Sequence, residues 1–148
     1  MAADFPTAVP EIPVDDLDAA LDYYARRLGF RVDWGGEGGG IAGISQGNCR
    51  LFLTNAAFRE LHGNHAPVVI WLNVDSKEAV DALHERWRAN QAEILAPPES
   101  KPWGLHEFIA ADPDGNRLRV FYDFGTAEKA EEIDGTYQSH SPSKASFP

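Results

Sequence analysis

Apolar positions along the chain fall into a pattern that runs twice. Residues 8–14 form a short apolar run interrupted by Pro10 and Pro13, which reads as a strand at a sheet edge. Leu17, Ala20, Leu21, Tyr24 and Leu28 then recur at offsets 0, 3, 4, 7 and 11, one face of a helix. Asp15-Asp16 supplies the cap of that helix and Gly29 stops it. Three glycine-separated strands are expected next, over 30–34, 41–45 and Cys49–Thr54.

The pattern restarts at 68–74, the β-prone run Val-Val-Ile-Trp-Leu-Asn-Val. Asp75 with Glu78 reads as a capping box. The helix after it buries Ala79, Val80, Leu83 and Trp87, with Asn90 in the position just past its end. Strands follow near 92–95, over Leu105–Ala111 and over 118–124, the last two joined by Asp112-Pro-Asp-Gly115, a hairpin turn. Val14-Asp15 and Val74-Asp75 stand sixty residues apart at equivalent points. The chain is therefore expected to be α+β, with two tandem βαβββ modules at about 7–55 and 66–124. Each would be a four-stranded sheet with one helix on its back, the pair forming a curved mixed sheet or half-barrel with a central cleft. Residues 1–124 make this domain, and 125–148 read as a polar tail.

Composition adds charge to this picture. The 148 residues contain 23 Asp and Glu against 13 Lys and Arg, a net −10. The tail accounts for −2, four acids against two lysines, so the body carries −8. Such a surface repels nucleic acid and anionic membranes and attracts cations, so neither a nucleic-acid nor a membrane partner is expected. No run reaches the roughly 20 apolar residues of a membrane helix. Met1-Ala-Ala-Asp-Phe-Pro lacks the basic and apolar regions of a secretory signal, and Cys49 is the single cysteine. A cytoplasmic location follows as the expectation.

Particular residues carry a family resemblance. Ala8-Val-Pro-Glu-Ile-Pro-Val-Asp-Asp-Leu17, Tyr23-Tyr24 and Arg27-Leu-Gly-Phe30 resemble the first module of the vicinal oxygen chelate superfamily. Lys101-Pro-Trp-Gly104, Glu107-Phe108 and Asp112-Pro-Asp-Gly-Asn116 resemble the end of the second. That superfamily includes glyoxalase I, extradiol dioxygenases, fosfomycin-modifying enzymes and bleomycin resistance proteins. Its metalloenzymes draw ligands from four strand positions, which the resemblance places at Val9, Phe52, Val69 and Arg119. None of these side chains suits a divalent cation. The resemblance thus implies the metal-independent bleomycin-resistance branch, with no cofactor and no catalysis. That branch shares the Ala-Val-Pro start, the Leu-Gly-Phe helix end, Ile41-Ala-Gly-Ile44, a tryptophan in strand 68–74 and Pro102-Trp-Gly104. It implies a homodimer, with N-terminal strands exchanged about Pro10.

The candidate ligand-binding residues on this reading are Trp34, Glu37, Ile41, Phe52, Trp71, Trp103, Gly104 and Glu107. Tryptophan stacks on flat heteroaromatic groups and attracts cations to its face. Core filling is the competing reading for Trp71 and Trp103, and Trp87 is read as core outright. Gly35-Gly-Glu-Gly-Gly-Gly40 lacks the Lys-Ser/Thr of a phosphate loop and is expected to be a rim that brings Glu37 to a cation. His62 and His65 read as surface loop. His106 and Glu107, adjacent on a strand, should point to opposite faces. The expected function is sequestration of a cationic, partly aromatic small molecule, with bleomycin-family glycopeptides as the family-level ligand. Two alternatives stand beside it: a binder of an unrelated metabolite, and a glyoxalase- or dioxygenase-type enzyme with a non-standard metal site.

Overall fold

A computed structural model describes residues 6–59 and 67–125. The elements run β1 (Glu11–Pro13), α1 (Leu17–Arg26), β2 (Arg31–Gly35), β3 (Ile41–Gln46), β4 (Cys49–Thr54), α2 (Ala56–Arg59), β5 (Val69–Asn73), α3 (Lys77–Ala89), β6 (Glu93–Ser100), β7 (Leu105–Ala111) and β8 (Arg117–Asp123). They build two four-stranded sheets, ordered β1-β4-β3-β2 and β5-β8-β7-β6. In each, the leading strand pairs parallel with the last and the other pairs are antiparallel. The two orders are the same order, so the repeat is a repeat of topology: two tandem βαβββ modules in an α+β fold. The described residues divide into two compact units, the first reaching to Val68 and taking in Asp112–Asn116, the second made of Val69–Ala111 and the described residues from Arg117 onward.

In the first unit, helix α1 lies along one face of its sheet. Asp16 accepts the Ala19 N–H at 3.0 Å and caps it, and Gly29, at φ +80°, turns the chain back into β2. Leu17, Ala20, Tyr24 and Leu28 are buried with Ile12, Ala42, Ile44, Leu51 and Leu53, the strand residues facing the helix. Strand β1 is shorter than 8–14 and begins after Pro10, which has no N–H to donate; Pro13 lies within it opposite Thr54, and at the sheet edge Pro10 O still accepts from Phe52 N at 3.0 Å. The short helix α2 has no counterpart in the expected pattern. Asn55 Oδ1 caps it through Phe58 N, and its last residue, Arg59, is buried with Nη1 donating to the carbonyls of Val14 and Thr54.

The turn 112–116 belongs to this unit and is more than a turn. Asp112 Oδ1 accepts from the N–H groups of Asp114 and Asn116, and Oδ2 accepts from Tyr24 Oη at 2.9 Å and Asn116 Nδ2 at 2.9 Å. Asn116 in turn donates from Nδ2 to Pro13 O at 2.8 Å and accepts from Val68 N at 2.9 Å. Asp112 and Asn116 are both buried, and this network supplies the partners that buried polar groups require.

In the second unit, Val80 and Trp87 of α3 pack on Ile70, Phe108, Ala110, Leu118 and Val120. The helix starts one residue later than the expected box. Ser76 is the cap, its Oγ accepting from Ala79 N at 2.9 Å. Its end differs as well. Asn90 has φ −87°, and the left-handed residue is Gln91, at φ +69°, with Ala92 N bonding back to Trp87 O. Strand β6 continues past 95 to Ser100 through two register shifts, the second of which, between Ala96 and Glu99, spans Pro97 and Pro98. Among the described residues no helix is long and apolar enough to cross a membrane. The tail from 126 onward, His62 and His65 lie outside the described residues.

Candidate functional site

Each sheet has a face turned away from its helix, and the candidate residues collect there in two separate groups. On the first sheet, ladder pairing sets Glu11 beside Phe52, Phe52 beside Gly43 and Gly43 beside Trp34, one row across all four strands. A bulge at Asp33 shifts the β2 register and puts Trp34 in this row. The Trp34 indole lies across Gly43, where an added Cβ would stand 2.5 Å from Cε2 and 2.9 Å from Cζ2. It meets Phe52 edge to face, with ring centroids 5.2 Å apart. Trp34 remains 43% exposed, a large flat apolar surface open to solvent, and Glu11 at the end of the row is exposed too. Ile41 shares this face one pair along, opposite Thr54. Sequence reasoning missed Gly43 and Glu11; the Ala-Gly-Ile run hinted at the first, since a mid-strand glycine often admits a close neighbour.

Gly43→Ala tests this packing. The methyl group cannot coexist with the indole, so Trp34 should swing off the sheet and its emission should shift to the red. Because the indole can leave toward solvent, the cost in stability should stay below about 1 kcal/mol. An unchanged emission spectrum would show that the indole does not rest on Gly43.

On the second sheet, Trp71 and Arg119 are cross-strand partners. The Arg119 guanidinium lies 4.4 Å from the Trp71 ring centroid, and Phe121 meets the same indole at 5.5 Å. Nε and Nη2 of Arg119 both donate to Glu107 Oε1, at 3.1 and 2.8 Å. Glu107 is 2% exposed, so this carboxylate orients a cation of the chain itself. As expected, His106 points the other way, toward α3. Trp71, 41% exposed, is not core, whereas Trp87 is.

The remaining candidates lie in the connections between strands. The glycine loop runs against α1: a Cβ on Gly36 would meet Leu21, and Gly38 and Gly40 share a depression with Asp15, Asp16 and Asp18. Glu37, at φ +54° in that loop, is therefore not part of the Trp34 row. Trp103 sits in the turn between β6 and β7, half-buried, with Lys101 Nζ 5.9 Å from its ring. Gly104 is buried because Gly125 crosses it, an added Cβ standing 2.7 Å from Gly125 Cα.

The family-type metal positions do not fit a metal. Val9 precedes β1, Val69 begins β5, Phe52 packs on Trp34, and Arg119 brings a positive charge already bonded to Glu107. No three His, Cys, Asp or Glu side chains converge among the described residues.

The sequence profile of the Glyoxalase/Bleomycin resistance protein/Dioxygenase superfamily matches residues 7–120, and the chain belongs to that superfamily. No curated protein matches. Among solved structures, a glyoxalase/bleomycin resistance protein/dioxygenase from Nocardioides is 21% identical, with 95% of this chain and 92% of that one covered and a TM-score of 0.67. TioX from Micromonospora sp. ML1 is 24% identical, covering 80% and 99%, with a TM-score of 0.67. The bleomycin-binding protein from Streptomyces verticillus, solved with copper(II)-bleomycin, is 26% identical, covering 80% and 97%, with a TM-score of 0.61. The superfamily holds both enzymes and non-enzymatic binding proteins.

Proposed function

We propose that this chain is a metal-independent binding protein that sequesters a cationic, partly aromatic small molecule, with bleomycin-family glycopeptides as the ligand class. The observation that carries the reading is the row Trp34–Gly43–Phe52–Glu11. A flat heteroaromatic group stacks on the exposed indole, and a cationic group meets the carboxylate at the end of the row. The net −10 draws such a ligand in. Distant likeness to a bleomycin-binding protein supports the ligand class. Val9, Phe52, Val69 and Arg119, none of them a metal ligand, favour binding over metal-dependent catalysis. Trp71 on β5, and Trp103 with Gly104 in the β6–β7 turn, are the ligand-contact candidates of the second unit in this reading. Glu107 acts by holding Arg119. The working form is a homodimer; the strand exchange implied by the resemblance is not part of it, because β1 pairs with β4 of its own chain.

Titration with metal-free bleomycin, followed by tryptophan quenching and calorimetry, tests the proposal. Saturable binding without added metal is expected, weakened about 10- to 100-fold in Trp34→Ala, as for an aromatic anchor worth roughly 1–3 kcal/mol. Raising salt should slow association, because screening sets in over about 8–10 Å. Absence of quenching in a folded protein would move the reading to an unrelated metabolite. Stoichiometric bound metal with a metal-dependent activity would overturn it in favour of an enzyme.

A further inference from the structure

A second constellation lies on the helix-facing side of the second sheet, away from Trp71 and Arg119. Ser100 ends β6, His106 is the second residue of β7, and the two are direct cross-strand partners. Ser100 Oγ lies 2.9 Å from His106 Nδ1, and His106 Nε2 lies 2.9 Å from Oδ1 of Asp81 on α3. The two register shifts in β6 create this pairing: an unshifted ladder extended from Glu93 and Ala111 would set Pro98 against His106. A carboxylate accepts and does not donate, so beside Asp81 a neutral His106 carries its proton on Nε2. Nδ1 then presents its lone pair to the Ser100 hydroxyl, which donates to it. The His106 side chain is 13% exposed and Ser100 is exposed, so the base is shielded while the nucleophile stays within reach of solvent.

We propose that Ser100 is a base-activated nucleophile that takes an acyl or dialkylphosphoryl group from small activated esters and acid fluorides. A hydroxyl bonded to an imidazole that a carboxylate orients is the arrangement of nucleophilic acyl transfer, here with the two ring nitrogens in exchanged roles. In the step, Oγ bonds to the acyl carbon while its proton passes to His106 Nδ1. The bond to the leaving oxygen breaks, and that oxygen leaves with the proton from Nδ1. Water then attacks the acyl carbon and gives its proton to Nδ1; the bond to Oγ breaks, Oγ takes that proton, and the carboxylic acid leaves with the serine hydroxyl restored. The chain is strongly acidic, so the acyl donor is a neutral one. No sequence motif announces the trio, because its members are dispersed over positions 81, 100 and 106 and meet only in the folded unit.

The test is labelling of the full chain with diisopropyl fluorophosphate, read by intact mass and peptide mapping. Oγ bonds to phosphorus, fluoride leaves, and the proton goes through His106 to solvent. One adduct at Ser100 is expected. His106→Gln should slow its formation at least about 100-fold, the usual range of general-base assistance. Asp81→Ala, an exposed helix substitution compatible with folding, should slow it about tenfold by releasing the imidazole, and provides the check if His106→Gln does not fold. A burst of p-nitrophenol from p-nitrophenyl acetate should be lost in Ser100→Ala. Adducts spread over several serines, or a Ser100 rate equal in the wild type and in a folded His106→Gln or Asp81→Ala variant, would overturn the proposal.

Discussion

Trp87→Ala is expected to lower the unfolding free energy by about 3–5 kcal/mol, the range for large aromatic side chains removed from a core. Trp87 is 1% exposed, and its ring meets Phe108 edge on at 5.6 Å, so truncation leaves a cavity between α3 and the middle of its sheet. For a domain of this size the change corresponds to a drop in Tm of roughly 10 °C. Trp34→Ala supplies the contrast. An indole already 43% exposed loses little by truncation, and a cost below about 1 kcal/mol is expected. Urea unfolding of the two variants separates a tryptophan that holds the fold from one available to a ligand. Equal destabilisation would remove Trp34 as a binding surface.

Asp112→Ala should cost a similar amount for a different reason. Four donors, Tyr24 Oη, Asn116 Nδ2 and the N–H groups of Asp114 and Asn116, would lose their acceptor inside a buried network. Each unsatisfied buried group costs about 1–3 kcal/mol, and relaxation should hold the total near 3–5 kcal/mol. Asp112→Asn is not conservative here. Both carboxylate oxygens face donors, so either orientation of the amide sets N–H against N–H. Asn116 cannot turn to accept without giving up Pro13 O and Val68 N. A cost of about 2–3 kcal/mol is expected for it, read from urea midpoints at constant m.

Tyr24 adds a pH signature to the same network. Burial, followed by the neighbouring Asp112, raises its hydroxyl well above the ordinary value of 10.0. The unfolded chain therefore loses this proton first. The contribution of Tyr24 is intact below pH 10 and falls as pH rises above it toward the folded value, by about 1.4 kcal/mol per unit. Tyr24→Phe should remove that part of the alkaline slope.

Much of this architecture is written locally. Strands Cys49–Thr54 and Leu105–Ala111 are found where glycine and hairpin-turn signals bound them, and α1 begins at the expected Asp16 cap, because turn and cap signals are properties of neighbouring residues. Helix α2, four residues long, has too little periodicity to announce itself. Strand β6 escapes a reading that stops at prolines, since bulges let an edge strand carry them.

The candidate sites divide along the same line. At the four positions the family resemblance picks out, Val9, Phe52, Val69 and Arg119 are not metal-ligand side chains, and tryptophan chemistry points to the indoles as candidate binding surfaces. Sequence by itself thus determined the repeat, the α+β class, the helix caps to within a residue, and the acidic charge. Only the tertiary structure decided that Trp34 rests on Gly43, that Glu107 is bonded to Arg119, and that Asp112 reaches Tyr24 across 88 positions. The same holds for Ser100, His106 and Asp81, which meet through a shifted register and a packed helix. The physical reason is one of range. Period, propensity and capping act over a few residues, whereas a side chain's partner is chosen by strand register and packing, which bring distant positions within 3 Å only once the sheet has formed.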